Sequence, residues 1–124
     1  MNEMKRLPDS EFEIMKAVWT HEPPVTTNML MQDIGNDKGW KVPTLISFLK
    51  RLINKGFLRS EKNGKERTYF PLVEKEDYLK FETDYFVKSY HGNSFLSLLN
   101  TFYDGKKLEK NEIDELRKLL DEED

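Results

Sequence analysis

The periodicity of the chain changes at Gly56, and this change restricts the fold more than any other feature. From Trp40 to Phe57, WKVPTLISFLKRLINKGF, the residues fit one helix that opens near Pro43 and stops at Gly56. At about 100° per residue, Leu45, Phe48, Leu49 and Leu52 share one side, with Ile46 and Ile53 at its edge. Thr44, Ser47, Lys50, Arg51, Asn54 and Lys55 gather on the other side. Beyond Gly56, FLRSEKNGKERTYFPLV reads as two short strands around Asn63-Gly64, a strong hairpin signal. Leu58 and Ser60 lead into the turn; Thr68, Phe70 and Leu72 lead out.

Two more helices precede this pair. Ser10 and Glu13 have capping-box spacing, which predicts a first helix starting at Ser10, with Phe12, Met15, Val18 and Trp19 recurring along it. HEPPV, residues 21–25, ends that helix because two prolines cannot continue it. A second, short helix follows, capped by Thr26 or Thr27, with Met29, Leu30 and Ile34 on its apolar side. GNDKG, residues 35–39, reads as a turn-rich link to the third helix. Three helices and a β-hairpin describe a winged helix-turn-helix. After Glu74 the pattern is helical again, near 75–91, 94–104 and 110–121, punctuated by HGNS and DGKK. The expected fold is mainly α (α+β): a winged helix over 1–73 and a three-helix dimerisation module over 74–124.

Charge divides along the same line. The net of −3 would argue against a nucleic-acid partner, but residues 74–124 alone carry −6 and residues 1–73 carry +3. Within 38–67, nine Lys and Arg face only Glu61 and Glu66, a local +7. Salt screens charges beyond about 8–10 Å, so a stripe of that sign attracts polyanions even on an acidic protein. In helix-turn-helix proteins the second helix of the motif enters the major groove. On the third helix here, Lys41 and Thr44 lie near the N-terminal end, and Ser47, Lys50 and Arg51 continue the outer face. Lys62, Lys65 and Arg67 surround the hairpin tip, with Tyr69 beside them as a residue that packs or touches a phosphate. The stripe lacks interleaved aromatics for stacking single-stranded bases, so duplex DNA is favoured over RNA.

The tail implies a partner. Residues 74–124 hold 18 hydrophobic residues, eight of them aromatic, more than three small helices easily bury alone. Tyr78, Phe81 and Tyr85 lie together on the first tail helix and Phe86 extends their face; Ile113, Leu116 and Leu120 form a stripe on the last. With Phe95, Leu99 and Phe102 between them, these residues are the expected homodimer interface. A two-fold dimer reads a palindromic operator, and the acidic tail stays off the phosphates.

The segments SEFEIMKAVW, WKVPTLISFLKRLINKGFL, RTYFPLV and EIDELRKLL, in that order from about Leu7 to Leu120, resemble the BlaI/MecI family of penicillinase and methicillin-resistance repressors. The resemblance implies a cytoplasmic homodimer that binds palindromic operators upstream of resistance genes. It places Thr44, Ser47 and Arg51 at recognition-helix positions and Lys65, Arg67 and Tyr69 in the wing. Ile46, with Val42-Pro43 upstream, stands where the family often has a basic or polar residue, which implies a different operator sequence. The resemblance also implies inactivation when a membrane sensor metalloprotease triggers cleavage at an Asn-Phe bond. The aligned bond here is Thr101–Phe102, with Asn100 one residue upstream. Related copper-responsive repressors bind metal through paired C-x-C motifs, and this chain has no cysteine.

The absence of cysteine also excludes disulfides and fits a reducing cytoplasm. MNEMKRLPDSEF has no apolar stretch behind its basic pair, so no signal peptide is expected, and no apolar run approaches membrane-spanning length. No serine elbow, phosphate-cradling glycine loop or metal-ligand spacing points to an enzyme or a bound cofactor, and His21 and His91 suggest no shared site. Two rival readings remain: a winged fold used for protein contacts, and a regulator holding a small ligand among the tail aromatics.

Overall fold

The computed structural model describes residues 3–103 and 108–122. The chain divides into two compact units, Met1–Glu82 and Thr83–Asp124. The N-terminal unit opens with α1, Asp9–Trp19, which starts one residue before the expected cap. Pro8, in extended backbone, occupies the cap position, and its carbonyl accepts from Phe12 N at 3.0 Å. Ser10 lies inside the helix and Glu13 pairs with Lys16 at 2.9 Å, so no Ser10–Glu13 box forms. Proline in this conformation supplies the entry by itself, while Asp9 and Glu11 favour the positive end of the helix dipole.

Strand β1, Val25–Thr26, leads into α2, Thr27–Leu30. Thr26 is the cap: its Oγ1 accepts from Met29 N at 3.1 Å. The helical path then runs on through a π-helical stretch, Met31–Gly35, and α3, Asn36–Lys38. Residues 35–38 therefore continue the helix, contrary to the turn-rich link expected for GNDKG. The wider π turn shifts the apolar period, which hides the continuation from a 3.6-residue pattern. Gly35 suits this path because a Cβ there would lie 2.5 Å from Met31 Sδ. Gly39, at φ 71°, ends it.

Helix α4, Val42–Asn54, starts after extended Lys41, with Pro43 in its first turn. It ends in a Schellman arrangement: Gly56 has φ 83°, Gly56 N donates to Ile53 O, and Phe57 N donates to Leu52 O. Strands β2, Leu58–Asn63, and β3, Glu66–Pro71, pair antiparallel from Leu58↔Pro71 to Asn63↔Glu66. The two-residue loop is thus Gly64-Lys65, with positive φ at Gly64, as a II′ turn requires of its first position. Strand β1 pairs with the outer side of β3, giving the order β1-β3-β2. Two residues are too few to announce this third strand in a sequence.

Leu45, Leu49 and Leu52 of α4 meet Ile14, Met15 and Val18 of α1, with Leu30, Phe57 and Leu58, in the core of this unit. Phe48 is half-buried and packs against Trp40 in a tilted contact, with ring centroids 5.0 Å apart. Helix α5, Lys75–His91, contributes Tyr78, which is fully buried. Its ring lies among Phe12, Trp19, Phe57 and Phe81, centroids 5.4–6.2 Å away. Its hydroxyl accepts from Leu7 N at 2.8 Å and donates to Glu82 Oε2 at 2.8 Å. Trp19 Nε1 donates to Val73 O at 2.9 Å, tying the start of the tail to α1. Tyr78 therefore cannot serve a dimer interface, and Phe81 packs against the same core. An exposed face was expected for both; the cluster of aromatic rings claims them instead.

In the C-terminal unit, the end of α5 is followed by α6, Phe95–Tyr103, and α7, Lys110–Asp121. Gly92 and Asn93 have positive φ at the turn after α5, and Ser94 Oγ accepts from Ser97 N at 3.1 Å as α6 begins. His91 Nδ1 lies 3.0 Å from Ser97 Oγ. The DGKK punctuation, residues 104–107, lies outside the described residues. Among the described residues no helix is long and apolar enough to cross a membrane.

Candidate nucleic-acid interface

A groove of about 810 Å³ runs between α4 and the hairpin. Val42, Ile46 and Ile53 of α4 form one wall with Met31, and Tyr69 closes the far side. Lys50, Lys65 and Arg67 are its cationic members and Glu66 its one acid, and Thr27, Asn28 and Ser60 add hydrogen-bonding groups. The groove is apolar along Val42 and Ile46 and carries a net positive charge from Lys50, Lys65 and Arg67 against Glu66. A polyanion whose inner edge carries apolar groups suits such a surface.

The structure separates the basic residues by role. Lys55 Nζ is 2.6 Å from Glu11 Oε1, and Glu11 is only 2% exposed. Lys55 thus holds α4 to α1 instead of standing on the outer polar face. Arg59 pairs with Glu61 at 2.6 Å and lies 4.0 Å from the centre of the Phe70 ring. Lys41, Lys50, Arg51, Lys62, Lys65 and Arg67 form no ion pair among the described residues, and all six are exposed. Lys62 and Arg67 are direct cross-strand partners. Like charges placed so are destabilising, and an anion between or beside them relieves the repulsion. Arg67 Nη1 donates to Ser60 Oγ at 3.0 Å, which orients it along the sheet.

On the crown of α4, Thr44, Ser47 and Arg51 are exposed and lie outside the groove. The Arg51 guanidinium sits 5.6 Å from the centre of the Phe48 ring, so a cation–π contact limits its freedom before any ligand arrives. Lys41 is the cap residue of α4, beside the exposed N–H groups of its first turn. Tyr69 is 3% exposed and pairs with Val25. Its place is in the core and groove wall; a role in touching phosphate is not supported by that burial. Thr27, Asn28 and Ser60 were not legible as site residues. Thr27 and Asn28 reach the groove only because β1 pairs with β3 and brings the start of α2 beside the wing.

Residues 7–122 match the family model described as "Penicillinase repressor". The chain belongs to the penicillinase repressor family. It is 30% identical over 122 residues to the penicillinase repressor of Bacillus licheniformis, covering 96% of this chain and 94% of that one. It is 30% identical over 120 residues to the methicillin resistance regulatory protein MecI of Staphylococcus aureus (strain N315), covering 96% of each. Among solved structures, the B. licheniformis BlaI monomeric form in complex with the blaP half-operator superposes with a TM-score of 0.52 at 32% identity, covering 63% of this chain and 94% of that one. The penicillinase repressor match spans both compact units, whereas the structural match spans about two-thirds of the chain.

Proposed function

We propose that this chain is a dimeric, sequence-specific repressor that binds duplex DNA at a two-fold-symmetric operator and controls β-lactam resistance genes. The observation that carries the DNA reading is the set of six exposed cations around α4 and the hairpin that form no ion pair among the described residues, with two of them directly opposed across the strands. Helix α4 lies in the major groove, with Thr44, Ser47 and Arg51 toward base edges. Lys41, Lys50, Lys62, Lys65 and Arg67 neutralise phosphates on either side. The complex of a monomeric relative with a half-operator supports one N-terminal unit per half-site.

The C-terminal unit supplies the contact with a second copy of the chain. Tyr85, Phe86, Phe95, Phe102 and Leu120 are 42–55% exposed, and Leu99, Ile113 and Leu116 are half-buried. Release follows from weakening that contact. Both residues of the Thr101–Phe102 bond are exposed on α6. Cleavage there, triggered by a membrane sensor metalloprotease system, would remove Phe102, Tyr103 and α7 from the interface. The last turn of α6 must open before a protease can bind it as an extended strand.

A pool of short random-sequence duplexes, titrated with the protein at two salt concentrations, tests the DNA reading. Enrichment of a symmetric site with steeply salt-dependent binding is expected; absence of binding at low salt would leave a winged fold used for protein contacts. On the recovered site, Arg51→Ala and Thr44→Ala should each weaken specific binding by about 1–3 kcal/mol and relax sequence preference locally. Lys62→Ala and Lys65→Ala should weaken binding alike on all sequences, lowering the slope of log affinity against log salt by about one unit each. Equal salt slopes in parent and variants would remove the hairpin from the interface.

A further inference from the structure

Five of the apolar side chains on α4 are accounted for by the fold. Leu45, Leu49 and Leu52 are core residues, and Phe48 and Ile53 pack against the core. Val42 and Ile46 do neither. Val42 is 44% exposed, Ile46 is half-buried, and both line the groove. One helical turn apart, they form a continuous ridge with Lys50, the next residue at the same spacing. The ridge is therefore aliphatic at the N-terminal end of α4 and cationic toward its C-terminal end.

We propose that Val42 and Ile46 read thymine, each half-site placing one or two thymine C5-methyl groups against this aliphatic ridge. The inference rests on the DNA-binding reading above and adds a sequence preference to it. The N-terminal residues of a recognition helix are those that meet base edges. In the major groove, thymine is the base of the four that presents a methyl group, and apolar side chains contact it. Lys50 continues the ridge, and Lys65 and Arg67 line the same groove from the hairpin, with Glu66 the one acid among them; the three cations supply the charge that holds a phosphate strand beside the ridge. Exposed aliphatic surface costs solubility without serving the core, so burying it against a methyl group offsets the exposure that the fold leaves behind. Thr44 and Ser47 lie outside the groove, so a methyl group seated in it meets Val42 and Ile46.

The test replaces each thymine of the recovered operator in turn by deoxyuridine, which removes the C5-methyl group and keeps every hydrogen-bonding atom. Affinity of the unaltered protein is measured on each duplex, so the first reading needs no variant that could misfold. Loss of about fourfold is expected at one or two positions per half-site, the effect of one buried methyl group. In Ile46→Ala or Val42→Ala, the deoxyuridine penalty at the matching position should disappear, because the partner of the methyl group is already gone. Selection repeated with Ile46→Ala should relax the thymine preference there. Tight operator binding that is indifferent to every deoxyuridine would overturn the proposal and leave DNA recognition standing. A penalty that persists undiminished in both variants would overturn it too. Absence of any duplex binding would remove the DNA reading itself, and this inference with it.

Discussion

Replacing Tyr78 by alanine is expected to destabilise the N-terminal unit by about 3–5 kcal/mol, the cost of emptying a fully buried aromatic site. Four aromatic rings line the cavity left behind, Phe57 in the core and Phe12, Trp19 and Phe81 packed against it. Collapse into the space is therefore limited, which argues for the upper part of that range. Tyr78→Phe separates packing from hydrogen bonding. It keeps the ring but leaves Leu7 N without its acceptor, at about 1–3 kcal/mol for a buried donor. Denaturant unfolding of the three proteins measures both terms. A Tyr78→Ala variant as stable as the parent would place this side chain outside the core.

The hydroxyl adds a pH signature. The Tyr78 phenol is raised from 10.0 to about 12, chiefly by burial; the Leu7 N–H pulls it down, and the hydrogen bond to Glu82 and the charge of Glu82 push it up. The folded state holds this proton more tightly than the unfolded state. The resulting stabilisation is complete below about pH 10 and is lost as pH rises through about 12. The stability difference between parent and Tyr78→Phe should narrow across that window. A gap that stays constant would mean that the phenol ionises equally easily in both states.

Tyr78 also shows where sequence patterns stop being informative. The helix containing it was legible, since its bounds, Lys75–His91, match the apolar period. Its partner was not. A half-turn of aromatics fits a dimer face and a domain core equally well, and only the placement of Phe12, Trp19 and Phe57 decides between them. The stretch Val42–Asn54 was read closely because its caps, Pro43 and Gly56, are local signals. Residues 35–38 look like a turn in the sequence because the π geometry just before them departs from the period on which the reading depends. The candidate site divides similarly. Exposed cations on α4 and the hairpin were visible as a charge excess, but the pairing of Lys55 with Glu11 joins residues 44 positions apart. No local pattern foretells that contact.

The second large effect concerns the C-terminal unit. Leu96→Asp, on α6, should convert the protein to monomers and lower operator affinity about 10²–10⁴-fold, while binding to a single half-site changes little. Leu96 is 64% exposed, so a carboxylate there meets water in the isolated chain and leaves the fold intact. In a dimer that covers Leu96, the same carboxylate is buried against apolar side chains, and a charge in that position goes unsolvated and unpaired. Loss of the second copy removes the gain from linking two binding events, which accounts for the range given. Phe81→Asp is the wrong probe for this purpose, because Phe81 packs on the winged-helix core and its loss would damage the DNA-binding unit directly. The two substitutions thus separate assembly from folding. Leu96→Asp is expected to keep the parent's thermal stability per chain at high dilution and to sediment as a monomer, whereas Phe81→Asp loses stability at any concentration. A Leu96→Asp protein that still sediments as a dimer and binds the full operator at parental affinity would move the interface away from α6, to faces that carry neither Leu96 nor its neighbour Phe95.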